Sequence, residues 1–510
     1  MLARTLCYAL QGIEGCPVTV ETDVSNGIGA FAMVGLPDAA VRESRERVFS
    51  ALRNSGYAIP TGRVTINLSP GDMKKEGASF DLPIAISLIA ASRQAVTRDL
   101  MKTLTLGELA LDGTLVPVRG VLSMVIAARE QGIESVILPA GNAAEVQAVE
   151  GMFVYPADNL KQAVEHLSGK APLVAQNQKS YIECLTDQQE LYDLSRVKGQ
   201  LGARRALEIA AAGGHNMLMI GVPGSGKTML ARCMPGILPD MTVEEAFEVT
   251  RIHSVAGMMK PGQGLITQRP FRTPHHSASM PSLIGGGMDA KPGELSLAHN
   301  GVLFLDELPE YPRTVLEALR QPLEDGVVTI SRAKAHTRYL CKTMLLAGMN
   351  PCPCGYYGSR NHPCRCTDLE IRRYLDRISG PMLDRIDLQI EVDAVPVNEI
   401  QSTAPAESSA SVRERVQKAR DIQRLRLQGT GCNANAQMTN KEIEAFCEPD
   451  ADGKKLLAMA VEKMNLSMRG YSRVLKVART IADLAGDAQV SMPHISEAIQ
   501  YRTLDQKYWK

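Results

Sequence analysis

Gly221-Val222-Pro223-Gly224-Ser225-Gly226-Lys227-Thr228 reads G-x-x-x-x-G-K-T, the P-loop pattern. The apolar run Met217-Leu218-Met219-Ile220 precedes it and Met229-Leu230-Ala231-Arg232 follows. That is the strand–loop–helix context the pattern requires. Glycines let successive backbone N–H groups curl around phosphate oxygens, and the helix N-terminus adds positive potential. In this pattern Lys227 reaches the β- and γ-phosphates of ATP, and Thr228 ligates Mg2+.

Downstream, Gly301-Val-Leu-Phe-Leu-Asp306-Glu307 predicts a buried parallel strand ending in two carboxylates. Asp306 is expected to hold Mg2+, and Glu307 to orient or deprotonate an attacking water. An acidic pair alone is a weak signal; with a P-loop in the same chain it becomes a strong one. The strand Thr343–Asn350 ends in a polar residue, which places Asn350 to sense the γ-phosphate and align water. Leu194–Gln200 precedes a predicted helix over Ala203–Ala212, just ahead of the P-loop; it reads as a plain turn or, as its resemblance to AAA+ ATPases implies, as a segment that contacts adenine.

The totals bound the answer. The chain has 510 residues, enough for two to four domains. Lys plus Arg and Asp plus Glu both number 56, so no global basic field advertises nucleic acid, and any DNA site must be local. One Trp and eight Phe argue against many stacking platforms for bases. No run approaches the ~18 apolar residues of a membrane span, and Leu82–Ala91 reads as a core element. The N-terminus lacks a clear signal pattern. Eleven cysteines fit a reducing compartment, so a cytoplasmic protein is expected.

Residues 1–168 alternate short β-like runs with helical patterns over Ala39–Ser55 and Leu122–Gln131. Lys75-Glu-Gly-Ala-Ser79, Gly107–Pro117 and Gly132–Pro139 together resemble the Lon-type peptidase domain, whose fold is that of the second domain of ribosomal protein S5. Ser79 falls where that domain has its nucleophile. In Arg119–Met124, however, Leu122 and Met124 occupy the positions of its lysines. A serine without an adjacent base is a poor nucleophile, so no peptidase activity is expected.

Four further stretches carry chemistry. Arg269-Pro-Phe-Arg-Thr-Pro-His-His276 and Pro281–Gly287 are too rich in Pro and Gly for a continuous helix. They read as a shaped loop facing a ring pore, with metal binding by the paired histidines as the weaker alternative. A hairpin is expected from Val327–Ser331 and Thr337–Leu340, after a helix over Pro312–Leu323; its basic tip, Arg332-Ala-Lys334-Ala-His336, suits phosphate contact. Cys352, Cys354, Cys364 and Cys366 have the spacing C-x-C-x9-C-x-C, which can close a tetrahedral Zn2+ site. Reduced structural thiols and a redox switch are the alternatives. The Ser402–Ser411 stretch reads as a flexible linker, and the basic pattern Val412–Leu427 as a solvated helix.

Taken in order, these parts resemble the magnesium-chelatase-like AAA+ ATPases, and more narrowly the competence protein ComM (YifB) family. The marks are the Lon-like N-domain, the P-loop, R-P-F-R-x-P-H-H, S-L-A-H-N-G-V-L-F-L-D-E, N-P-C-P-C-G and S-R-V-L-K-V-A-R-T-I-A-D-L. The resemblance implies an α/β fold: a Lon-like non-peptidase domain (1–168), a linker (169–193), an AAA+ core (194–395), and a linker with helical lid (396–510). It implies a homo-hexamer without membrane contact that hydrolyses ATP with Mg2+ and moves along single-stranded or branched DNA. In such a ring Arg385 resembles an arginine finger offered to the neighbour's γ-phosphate, and Arg473 a lid sensor arginine, with Arg469 as its alternative. A chelatase motor subunit for metal insertion and an ATP-dependent unfoldase or protease partner remain as other classes.

Overall fold

A computed structural model describes residues 1–95, 100–185, 192–287, 290–332, 335–359, 362–395 and 406–509. The chain forms two compact units. The first gathers Met1–Thr186, Val243–Thr267 and Ser331–Tyr339; the second gathers Asp187–Thr242, Gln268–Ile330 and Leu340–Lys510.

The first unit is built on a seven-stranded sheet. Its order is Ala30–Val34, Arg63–Ser69, Glu14–Ser25, Leu2–Gln11, Thr103–Thr105, Ser135–Pro139 and Phe153–Ala157. Leu2–Gln11 and Glu14–Ser25 form a long antiparallel pair, and the Thr103, Ser135 and Phe153 strands add in parallel. Helix Asp81–Ala91 is buried along nearly its whole length against this pair, as its apolar run, broken only by Ser87, requires. Ser79 sits just ahead of that helix and is itself buried. Leu122 and Met124 lie in the core, 0% and 1% exposed, on helix Val121–Glu130. The positions where the Lon-type domain carries lysines are therefore packed hydrophobic sites.

Val243–Thr267, read from sequence as part of the AAA+ core, groups with the first unit instead. The reason is a buried polar network. Ser254 on helix Val243–Val255 accepts from Gly120 N–H at 2.9 Å and donates to Glu145, which accepts from Leu122 N–H at 3.1 Å. Arg251 on the same helix reaches Glu14 at 2.7 Å. Burial raises the Glu145 carboxyl above its usual range, opposed by these hydrogen bonds.

The second unit holds a five-stranded parallel sheet in the order Phe271–Arg272, Val302–Leu305, Met344–Met349, Met217–Ile220, Leu388–Glu391. The three central strands are buried at every residue, the pattern expected of a parallel sheet covered on both faces. Helices Leu201–Gly213, Lys227–Ile237 and Arg313–Asp325 belong to this unit. So do the C-terminal helices Ser409–Arg426, Asn440–Phe446, Ala451–Met464, Met468–Ala485 and Met492–Gln500.

These C-terminal helices share one core with the sheet: Val416, Val474, Val477 and Ile481 cluster with Met217, Met219, Leu346 and Leu388. The helical region expected as a separate lid is thus continuous with the second unit. Ser408 caps its first helix by accepting from Ser411 N–H at 3.3 Å, so Ser409–Ser411 is helix, where a linker was expected. Several arginines of that helix are paired within the unit, Arg415 while 41% exposed. Arg420 is buried and donates to the carbonyls of Ala211 and Ala212. Arg415 pairs with Glu208 and Glu407, and Arg426 with Asp483.

Leu122→Lys, which restores a Lon-type lysine, should cost about 3 kcal/mol or more by burying a charge without a partner, and should create no peptidase. Urea unfolding and a casein digestion assay check both outcomes, with Ser79→Ala as a control unchanged in each.

Candidate nucleotide site

Three parallel strands bring their C-terminal ends to one place. Met217–Ile220 runs into Gly221, Val302–Leu305 into Asp306, and Met344–Met349 into Asn350. Adjacent register, Ile220 opposite Met349 and Leu305 opposite Ala347, sets the three ends side by side.

The loop Gly221–Gly226 is shaped by its glycines. Gly224 and Gly226 take φ of +76° and +95°, which a side chain disfavours, and both face open space. A Cβ on Gly221 would lie 2.3 Å from the Val392 carbonyl oxygen, so only glycine fits there. Helix Lys227–Ile237 starts at Gly226 without a side-chain cap, leaving its first N–H groups for a ligand. Ser225 Oγ is buried and has no hydrogen-bond partner among the described residues. An anion-binding loop has this donor chemistry, and the triphosphate of ATP fits it.

Lys227 is buried and donates to the carbonyls of Gly221 at 2.7 Å and Val222 at 3.1 Å, and to Asn350 Oδ1 at 3.2 Å. Burial pulls its ammonium below the usual lysine range, while Asp306 and Glu307 oppose that shift. Thr228 Oγ1 donates to Asp306 Oδ2 at 2.7 Å. A hydroxyl and a carboxylate so paired are hard oxygen donors of the kind Mg2+ takes. Gly348 permits this approach, since a Cβ there would lie 2.9 Å from Asp306 Oδ1.

Glu307 follows in left-handed backbone, φ 53°, which turns its carboxylate away from the strand. His276 Nδ1 lies 3.4 Å from Glu307 Oε2. The His276 ring is held in turn: it lies 4.1 Å from the His275 ring and meets Tyr311 edge-on at 6.5 Å. Tyr311 donates to the Pro274 carbonyl at 2.6 Å. The sequence reading placed these histidines in a shaped loop facing a pore; the structure sets one of them against the expected catalytic carboxylate. Phe271–Arg272 in this stretch is the edge strand of the sheet, and Arg272 pairs with Glu294 at 2.6 and 2.8 Å. Only the spatial closeness of the first two strands reveals His276; its spacing from Glu307 in the chain carries no signal.

Gln200, at the end of the expected adenine-contacting segment, takes φ 55° and donates to the carbonyls of Asp393 and Ser225. That brings Leu194–Gln200 against the P-loop. The hairpin tip at Ala333 and Lys334 lies outside the described residues.

Arg385 and Arg473 are brought together, but not at this edge of the sheet. Asn216, at the opposite end of the P-loop strand, donates to the Arg385 carbonyl at 2.8 Å and accepts from Asp387 N–H at 2.9 Å. Five residues of extended chain separate Asn216 from Gly221, about 16 Å. The Arg385 guanidinium is 9% exposed, bonded to the Pro381 carbonyl and ion-paired with Glu324. Arg473 donates to the Ile386 carbonyl at 3.3 Å and lies 3.6 Å from Asp387 Oδ1. His215 bridges Asp387 at 3.2 Å and Thr480 at 2.8 Å. Burial pushes the Asp387 carboxyl up, but the His215 hydrogen bond and charge, with Arg473 and Lys476, hold it at about 2.

Cys352, Cys354, Cys364 and Cys366 converge, with their Sγ atoms within 4.8 Å of one another. Cys354 N–H donates to Cys366 Sγ and Tyr357 N–H to Cys352 Sγ, at 3.4 and 3.3 Å. Backbone donors to sulfur stabilise thiolates around a metal. Four sulfurs so gathered match the ligand set of tetrahedral zinc. Such a cation, when bound, supplies a cross-link rather than reactivity.

Three family descriptions match the chain: Magnesium chelatase, subunit ChlI, over residues 193–400; Subunit ChlI of Mg-chelatase, over 20–142; and Magnesium chelatase, subunit ChlI C-terminal, over 406–502. Competence protein ComM of Haemophilus influenzae is 46% identical across 99% of this chain and 98% of its own. Uncharacterized protein YifB of Escherichia coli is 43% identical across 98% of this chain and 96% of its own. Lon protease 1 of Sorangium cellulosum is 31% identical over 153 residues, 28% of this chain and 18% of its own.

Lys227→Ala should lower affinity for a fluorescent ATP analogue about 100-fold, in a titration with Mg2+ present, because the buried cation facing the phosphates is gone. His276→Ala should instead leave that affinity within about twofold and lower ATP turnover about tenfold, since only the aim of Glu307 is disturbed.

Proposed function

This chain belongs to the ComM/YifB family of magnesium-chelatase-like AAA+ proteins, and we propose on that premise that it is an ATP-driven, hexameric DNA motor. Its architecture is mixed α/β: a unit akin to Lon, an AAA+ core on a parallel sheet, and a helical C-terminal region. No described helix is long and apolar enough to cross a membrane. The activity assigned by this reading is branch migration, extending the joint between incoming single-stranded DNA and a chromosome during natural transformation and recombination. The cytoplasm is the compartment where such a motor meets its DNA.

The single observation that carries the reading is the convergence of Lys227, Thr228, Asp306, Glu307 and Asn350 at one sheet edge. Lys227 and the loop N–H groups hold the phosphates. Thr228 and Asp306 would hold Mg2+, which neutralises charge on the transferring phosphate. Glu307 takes a proton from the attacking water, and Asn350 aligns that water. In this reading Arg385 and Arg473, at the far edge, serve a pocket other than their own chain's. For Arg385 to reach a neighbour's γ-phosphate it must leave Glu324, so ring assembly and the release of that ion pair go together. The zinc reading of the four cysteines belongs to this function as a structural site.

The chelatase-motor class shares the whole ATP site and differs in what is moved. The unfoldase or protease class is disfavoured by the apolar core at Leu122 and Met124.

Glu307→Gln should bind ATP as the wild type does and turn it over at least about 10²-fold more slowly. Forked or single-stranded DNA should stimulate wild-type turnover, and a three-stranded joint should be extended with ATP and Mg2+; indifference to every DNA, with turnover awaiting a protein partner, would favour the chelatase class.

Arg385→Ala should lose about 10³-fold in turnover while retaining nucleotide binding. Mixing it with Lys227→Ala should restore part of the rate, because a mixed ring can pair an intact pocket with an intact finger.

A further inference from the structure

Asn350 and the first thiol, Cys352, are separated by one proline, so the cysteine cluster begins where the nucleotide site ends. The two are also in direct contact. Gly355, which closes the Cys352–Gly355 turn with a 2.9 Å hydrogen bond to the Cys352 carbonyl, has φ +85°. A Cβ placed on it would lie 2.6 Å from Cδ and Cγ of Pro223 and 3.9 Å from Cγ of Asn350. The middle of the P-loop therefore rests on the backbone of the thiol turn, and only glycine allows the approach. Asn350 at the same spot accepts from Lys227 at 3.2 Å.

The cluster is anchored on its other side as well. Tyr357, whose N–H donates to Cys352, meets the ring of Tyr508 edge-on at 6.4 Å. Tyr508 donates to Glu391 at 2.5 Å, on the strand beside the P-loop strand. The next carbonyl, Val392, is the one that crowds Gly221. Both flanks of the phosphate loop thus lean on elements tied to the thiol cluster.

We propose that the four-cysteine cluster, loaded with zinc, is a brace for the ATP pocket, so that metal occupancy sets the position of Pro223 and Asn350 and with it nucleotide affinity. This rests on the ATP and zinc readings given above. The physical basis is constraint. A tetrahedral site ties Cys352 and Cys354 to Cys364 and Cys366 and removes the freedom of the loop between them. Without the ion that cross-link is lost, the Gly355 turn can shift, and a phosphate loop that loses one wall must order itself on binding, which weakens affinity.

The test uses the full-length protein, with zinc content measured alongside titration of a fluorescent ATP analogue. Wild type should carry one zinc per chain and bind the analogue. The double variant Cys364→Ser, Cys366→Ser should lose zinc and bind the analogue at least about tenfold more weakly, with far-ultraviolet circular dichroism unchanged. Gly355→Ala should keep its zinc and show a similar loss, because the added methyl displaces Pro223. Pro223→Ala in that background should recover part of it, a coupling that independent sites lack. Zinc-free protein, or Gly355→Ala with full zinc, binding at wild-type affinity overturns the brace. If Gly355→Ala or the Cys double variant fails to fold, Pro223→Ala alone decides: zinc-loaded and unweakened, it overturns the brace. Wild type without zinc overturns the metal reading, and wild type that binds no nucleotide overturns the ATP reading; the two readouts tell them apart.

Discussion

The hydrogen bond from Thr228 to Asp306, and beside it the one from Lys227 to Asn350, join three strand ends into a single site. Each partner comes from a different part of the chain, 78 and 123 residues apart. They meet only because the three strands run parallel with their C-terminal ends at one edge, where an open α/β sheet places its ligands. The rest of the second unit serves that alignment. Apolar strands bury both faces, Gly348 clears space for Asp306, and Gly221 lets Val392 approach the loop.

The opposite edge of the same sheet has a different chemistry. There, charged groups are paired: buried Asp387 with His215 and Arg473, and buried Arg385 with the half-exposed Glu324. Removing one partner of such a buried set leaves the other uncompensated, so these groups hold the base of the P-loop strand to helix Met468–Ala485.

The first unit packs apolar side chains where its resemblance to Lon leads one to expect lysines. Ser79 is buried just ahead of helix Asp81–Ala91, and Leu122 and Met124 fill the hydrophobic core. Val243–Thr267 joins this unit from within the nucleotide-binding sequence, because Ser254 and Arg251 complete a polar network that begins at Gly120, Glu145 and Glu14.

Sequence alone determined the parts whose chemistry is local. The P-loop depends on glycines at fixed offsets, the acidic strand on an apolar run ending in carboxylates, and the cysteine cluster on short ligand spacing; each is written within a dozen or so consecutive residues. Tertiary structure alone decided the rest. Packing set His276 on Glu307, Gly355 on Pro223 and Arg473 beside Asp387 rather than at the P-loop. It also gave Val243–Thr267 to the first unit and merged the C-terminal helices into the core of the second. The physical reason is that these contacts join residues far apart in the chain, and a pair brought together by sheet register and buried surface leaves no periodicity or motif in either of its strands.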